Sequence, residues 1–95
     1  MIFRTTERAD DDIIGIYVYG VREFGARQAE KYHAGIAEAF RLLADNPFIV
    51  RERQEFRPPV RLYFYEAHVI VYQIMSDHIL IIRVLHGRQD WEQHL

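Results

Sequence analysis

Val60-Arg61-Leu62-Tyr63-Phe64-Tyr65, His68-Val69-Ile70-Val71-Tyr72-Gln73-Ile74-Met75 and His78-Ile79-Leu80-Ile81-Ile82-Arg83-Val84-Leu85 follow one another through the last third of the chain. Only Glu66-Ala67 and Ser76-Asp77 separate them. All three are rich in β-branched and aromatic residues, and two-residue connections join antiparallel neighbours, so the stretch predicts a β-meander. In its first segment a period of two sets Val60, Leu62 and Phe64 on one face and Arg61, Tyr63 and Tyr65 on the other. The third segment leaves an aliphatic run through His86-Gly87-Arg88-Gln89-Asp90, which joins a buried core to a charged rim. Alternation places Arg83 on the face of Ile79, Ile81 and Leu85.

Upstream the period changes. Ile14, Tyr17, Val18, Val21 and Phe24 recur at helical spacing, as do Ala29, Tyr32, Ile36, Phe40 and Leu43. Thr6 is placed to cap the first helix. Glu7 and Asp10-Asp11-Asp12 fall in its first turns, where the helix dipole favours negative charge. Gly25 ends it, and Asn46-Pro47 stops the second. So short a connection leaves only an antiparallel helical hairpin. Residues 2–5 form a short opening strand. Residues 46–59 are irregular, with Arg51, Arg53 and Arg57 and a Pro58-Pro59 stop, and residues 89–95 form a short terminal helix. The expected fold is α+β, in the order β-α-α-β-β-β. One domain spans residues 1–95: an antiparallel sheet of three or four strands, covered on one face by the hairpin. The other face is expected to be partly open and to carry aromatic and Arg residues.

Ninety-five residues suit one core, and a chain of this size buries somewhat over ~60% of its unfolded surface. With 49% hydrophobic residues it is globular rather than disordered. The absence of cysteine excludes disulfides, thiolate metal sites and cysteine nucleophiles, and suits a reducing cytosol. No apolar run approaches the ~20 residues of a membrane span and no secretory signal is visible, so a soluble cytoplasmic protein is expected. Net charge is −2, with eleven Arg and one Lys among the cations. That balance argues against affinity drawn from many phosphates, while Arg in place of Lys favours geometric contacts.

Several motifs together resemble the ParE/RelE superfamily of toxins from type II toxin–antitoxin pairs. They are Tyr17-Val18-Tyr19 with Phe24-Gly25, Gln28-Ala29-Glu30-Lys31-Tyr32, residues 40–47, Val60-Arg61, His68-Val69-Ile70-Val71-Tyr72, and Ile82-Arg83-Val84-Leu85-His86-Gly87-Arg88-Gln89-Asp90. Their order covers about nine-tenths of the chain, and the Val-Leu-His-Gly-Arg-Gln-Asp ending is similar to the ParE branch. That branch implies an inhibitor of DNA gyrase that stabilises cleaved DNA without chemistry of its own. It also implies a cognate antitoxin whose C-terminal segment wraps the toxin in a hetero-oligomer. The RelE branch implies a metal-free, ribosome-dependent messenger endoribonuclease instead.

Metal-free RNA cleavage needs a base, an acid and cations on the phosphate. Arg61, Arg83 and Arg88 are candidates for the phosphate and His86 for proton transfer. Against this, the last tyrosine is Tyr72, whereas many RNA-cutting relatives end in one, and the chain is acidic on balance. The favoured expectation is therefore no catalytic residue, and a contact surface made of Arg61, Tyr63, Tyr65, Arg83, His86, Arg88 and Trp91. Trp91 and Leu95 are either core packing or a partner face, and for Trp91 packing is the favoured reading. Arg83 needs a partner if buried: Glu66, Asp90 or an acidic antitoxin segment. His33, His68, His78 and His94 have no metal-ligand spacing, and Asp10-Asp11-Asp12 lacks the Gly and Glu of a calcium loop. No phosphate loop or nucleophile elbow is present, so neither a cofactor nor a metal is expected, nor direct sequence-specific nucleic-acid binding.

Overall fold

A computed structural model describes all residues, 1–95. Strand β1 (Ile2–Thr5) leads into helices α1 (Glu7–Phe24) and α2 (Ala26–Asp45). Strands β2 (Glu52–Arg53), β3 (Val60–Tyr65), β4 (His68–Ile74) and β5 (His78–His86) follow, with a 3-10 turn at Trp91–His94. The five strands form one open sheet in the order β1-β5-β4-β3-β2. The α+β class, the helical hairpin and the meander agree with the expectation. The sheet itself is mixed rather than antiparallel throughout: β1 runs parallel to β5, with Ile2 beside His78 and Thr5 beside Ile81. The short β2, which has no alternating pattern, gains its strand character from pairing with Val60 and Arg61.

Local chemistry accounts for the hairpin. The Thr6 hydroxyl accepts from Ala9 N at 3.0 Å, satisfying one of the free amides of the first turn. Gly25 joins the helices at φ +89° and ψ 161°, backbone that only glycine adopts without strain. Helix α2 buries Ala29, Ile36, Phe40 and Leu43 as its stripe predicts, with Tyr32 half-buried. Helix α1 does not follow its predicted stripe. Ala9 is fully buried and Ile13 and Ile16 pack inward, while Ile14 is 61% and Phe24 66% exposed. The helix is turned by roughly a third of a revolution from the predicted face.

The core lies between the hairpin and the sheet, where Ile36, Phe40, Leu43, Ile70, Tyr72, Ile79, Ile81 and Val84 meet. On β3 the two faces are occupied contrary to expectation. Tyr63 and Tyr65 pack beneath the helices, whereas Val60 and Leu62 line the opposite sheet face with Val69, Val71 and Leu85. That opposite face is apolar, not an open Arg and aromatic surface, and Phe56, Ile82 and Trp91 lie against it. On β5 a bulge interrupts the alternation: Val71 pairs with Arg83 and Tyr72 with Ile81, leaving Ile82 unmatched. Past the bulge Leu85 turns to the opposite face and Val84 to the core, so Leu85 does not share the face of Ile79 and Ile81.

Gly25→Ala should lower the unfolding free energy by about 1–3 kcal/mol without changing the fold, because a Cβ is strained at this φ and ψ. Urea denaturation should show a lower midpoint and an unchanged slope.

Candidate functional site

The parallel pairing of β1 stops at Thr5, yet β5 continues to His86, so its outer edge beyond Ile81 lacks a strand partner. The start of α1 supplies one. Thr6 donates its hydroxyl to the carbonyl of Ile82 at 2.7 Å. Asp12 accepts Val84 N at 2.9 Å, Arg83 Nε at 2.8 Å and Arg83 Nη2 at 2.9 Å. Both side chains are largely buried, with 11% of Arg83 and 15% of Asp12 exposed. The hydrogen bonds that Arg83 donates to Asp12 hold its guanidinium pKa above the ordinary value. The partner of Arg83 is therefore neither Glu66 nor Asp90 but a helix carboxylate assigned from sequence only to the dipole. Arg83 Nη1 is buried without a protein acceptor.

This clamp forms one wall of a groove of about 820 Å³ between the hairpin and the ends of β4 and β5. At the β end of the groove His68 lies opposite His86, the rings 5.1 Å apart. Tyr32 from α2 shares a hydrogen bond of 2.6 Å with His68 Nδ1. Burial and then the neighbouring His86 push the His68 pKa down to about 4, and burial raises the Tyr32 phenol. At neutral pH the pair is un-ionised, suited to hydrogen bonding rather than to supplying a nucleophile. Tyr65 packs against Tyr32, and a Cβ on Gly35 would overlap its hydroxyl, so glycine leaves the ring room on α2. At the helical end Tyr19 and Phe24 are 60% and 66% exposed and line the rim.

Of the expected contact residues, only Arg83 and His86 line this groove. His86 Nδ1 accepts Arg88 N at 3.0 Å, which shapes the exit turn, and Arg88 itself is exposed. Arg61 lies at the other end of the sheet. It donates to the Val50 carbonyl at 2.6 Å and sits 5.1 Å from the Phe48 ring centre. Arg61 pairs with Tyr72 and His86 with His68, about 13 Å apart along β4 at the usual strand rise. Trp91 is on the opposite sheet face, against Phe56 and Phe64. The arginines and the histidine proposed for phosphate chemistry are thus not gathered at one point.

Asp12, Tyr32 and His68 are the groove residues that sequence reasoning missed. An unbroken hairpin from the Ser76-Asp77 turn sets His68 across from Leu85, and only the bulge at Ile82 brings it to His86. Asp12 had one available signal: it falls on the helical face of Ala9 and Ile16, a face no predicted apolar stripe claimed. No group of three or more His, Cys, Asp or Glu side chains is disposed to hold a metal.

Residues 3–91 match the family model described as ParE toxin of type II toxin-antitoxin system, parDE. The chain is 27% identical to Toxin ParE1 of Caulobacter vibrioides over 93 residues, covering 98% of this chain and 96% of that protein. It is 30% identical to Toxin ParE of Escherichia coli over 86 residues, covering 90% and 84%. Its fold is that of a solved structure titled "Chromosomal ParDE TA system from P. aeruginosa". The TM-score is 0.79 at 24% identity, over 90% of this chain and 95% of that one.

Asp12→Ala should leave the Arg83 charge buried and unpaired and destabilise the fold by about 3–5 kcal/mol, measured by denaturant unfolding. His68 titrates lower in the folded than in the unfolded state. Its contribution is therefore complete above about pH 6.5 and is lost as pH falls towards about 4. His68→Gln should flatten the dependence of the urea midpoint on pH across that window.

Proposed function

The chain belongs to the ParE toxin family and is the toxin component of a type II toxin–antitoxin system, and from that premise we propose that it arrests growth by contacting DNA gyrase. The observation that carries this reading is the family match over residues 3–91. Gyrase as the target is what the resemblance to the ParE branch implies. A protein–protein mode of action, without catalysis and in the cytosol, is consistent with the site. Arg83 is already neutralised by Asp12, Arg61 is engaged with Val50 and Phe48, and His86 and Arg61 stand at opposite ends of β4. The gyrase contact we propose is the charged exit of β5, with Arg83, His86 and Arg88, together with Trp91. No helix is long and apolar enough to cross a membrane.

We assign the groove and the adjoining face of α1 to the cognate antitoxin. Ile14, Val18, Tyr19 and Phe24 leave an apolar surface at the groove that a segment folding on binding would cover.

Antitoxin-free protein should inhibit gyrase supercoiling and accumulate gyrase-dependent cleaved DNA, while ribosome-bound messenger stays intact. Unaffected gyrase at concentrations that still arrest growth would rule out the target. Messenger cleavage abolished by His86→Gln would replace this reading with a ribonuclease.

A further inference from the structure

Between α2 and β3 the chain carries its densest set of cations. Residues 46–61 hold Arg51, Arg53, Arg57 and Arg61 against Glu52 and Glu55, a net +2 within a chain of net −2. The fold brings Arg53 and Arg61 together, because Glu52 pairs with Arg61 and Arg53 with Val60 at the outer edge of the sheet. Arg57 lies in the connection between these strands and lines a hollow with Val60, Val71 and Ile82. The carboxylates are occupied locally. Glu55 binds Arg53 at 2.8 Å, and Glu52 accepts from Gln54 at 2.5 Å. Arg51 and Arg57 are exposed and take part in none of the ion pairs.

Three residues before Arg51 in the same segment stands Phe48, 73% exposed. The Arg61 guanidinium lies 5.1 Å from its ring centre and is itself tethered to the Val50 carbonyl at 2.6 Å. A cation held by the backbone thus backs a ring that is otherwise open to solvent, which is a platform for another flat ring. Unpaired guanidiniums recognise phosphate bidentately, and bases stack on exposed aromatic rings whatever their identity.

We propose that this corner of the sheet binds single-stranded nucleic acid without sequence preference, with Arg51 and Arg57 on phosphates and a base stacked on Phe48. Duplex bases already stack on one another and have no face to offer Phe48. An acidic protein segment would engage the arginines but has no use for the ring. The acidic net charge of the chain and its local basic corner are compatible, since only a few phosphates are neutralised. This surface lies at the other end of β4 from the groove and contains none of the groove residues, so the inference does not depend on how the antitoxin or gyrase is contacted.

The test is fluorescence anisotropy of a labelled, mixed-sequence single-stranded DNA of roughly 15 nucleotides, titrated with the full chain. Binding should weaken with salt at a log–log slope of about −2 to −3, the value for three or four phosphates. Arg51→Ala with Arg57→Ala should weaken it about tenfold or more and reduce the slope by about 1.4. Phe48→Ala should weaken single-strand binding several-fold and leave duplex binding unchanged. All three side chains are exposed, so thermal melting should show the variants as stable as the parent. Absence of binding, or binding indifferent to the double variant, overturns the proposal. So does equal affinity for a poly-glutamate peptide that is indifferent to Phe48→Ala, an outcome that would make the corner an acidic-protein surface.

Discussion

The Asp12 carboxylate, accepting from Arg83 and from the Val84 amide, is the contact on which the arrangement of this molecule turns. Strand β5 outruns its parallel neighbour, and a strand edge abandoned inside a protein leaves amides that must find acceptors. Asp12 supplies that acceptor and at the same time balances a buried guanidinium. Because Ala9, Ile13 and Ile16 share the inward side of α1 with Asp12, the clamp selects which apolar residues enter the core. It turns Ile14, Val18 and Phe24 outward. The bulge at Ile82 is the matching adjustment on the strand, where Thr6 holds the freed carbonyl.

The two sheet faces are built to different depths. The helical face holds a continuous core that includes the fully buried Tyr72, whose hydroxyl donates to the Pro47 carbonyl at 2.8 Å. The opposite face is a smaller aliphatic cluster roofed by Phe56 and Trp91, one from the arginine-rich segment and one from the tail. That roof ties the region after β5 to the region before β3. Trp91 is therefore a packing residue as well as a proposed contact, and substitutions there act on stability and on binding together.

A toxin bound by an antitoxin must expose recognition surface while keeping a thin core intact. Here Ile14, Val18, Tyr19 and Phe24 expose apolar surface along α1 and at the groove rim, and Arg51 and Arg57 beside β2 and Arg88 after β5 are exposed cations. The groove and the exit of β5 share Arg83 and His86, so the antitoxin and the target, as proposed, would compete for the same residues. The un-ionised Tyr32 and His68 pair and the neutralised Arg83 give the groove polar character, with Asp11 its one charged side chain outside the Asp12 and Arg83 pair.

The order of elements, the hairpin, the meander and the family were legible in the sequence. Each rests on local signals: turn dipeptides, helix caps, glycine between helices, and a change of period at Val60. The α2 stripe was legible for the same reason, since its apolar residues have only one face to bury. The parallel docking of β1, the rotation of α1, the bulge in β5 and the meeting of Tyr32, His68 and His86 were not. Each depends on groups far apart in the chain, as Asp12 and Arg83 are by 71 positions. Hydrophobic periodicity reports where apolar residues recur, and α1 carries enough of them to define two faces. Only the tertiary pairing of a buried carboxylate with a buried guanidinium decided between those faces, because separating that pair costs more than exposing an isoleucine, a valine and a phenylalanine that a partner can cover.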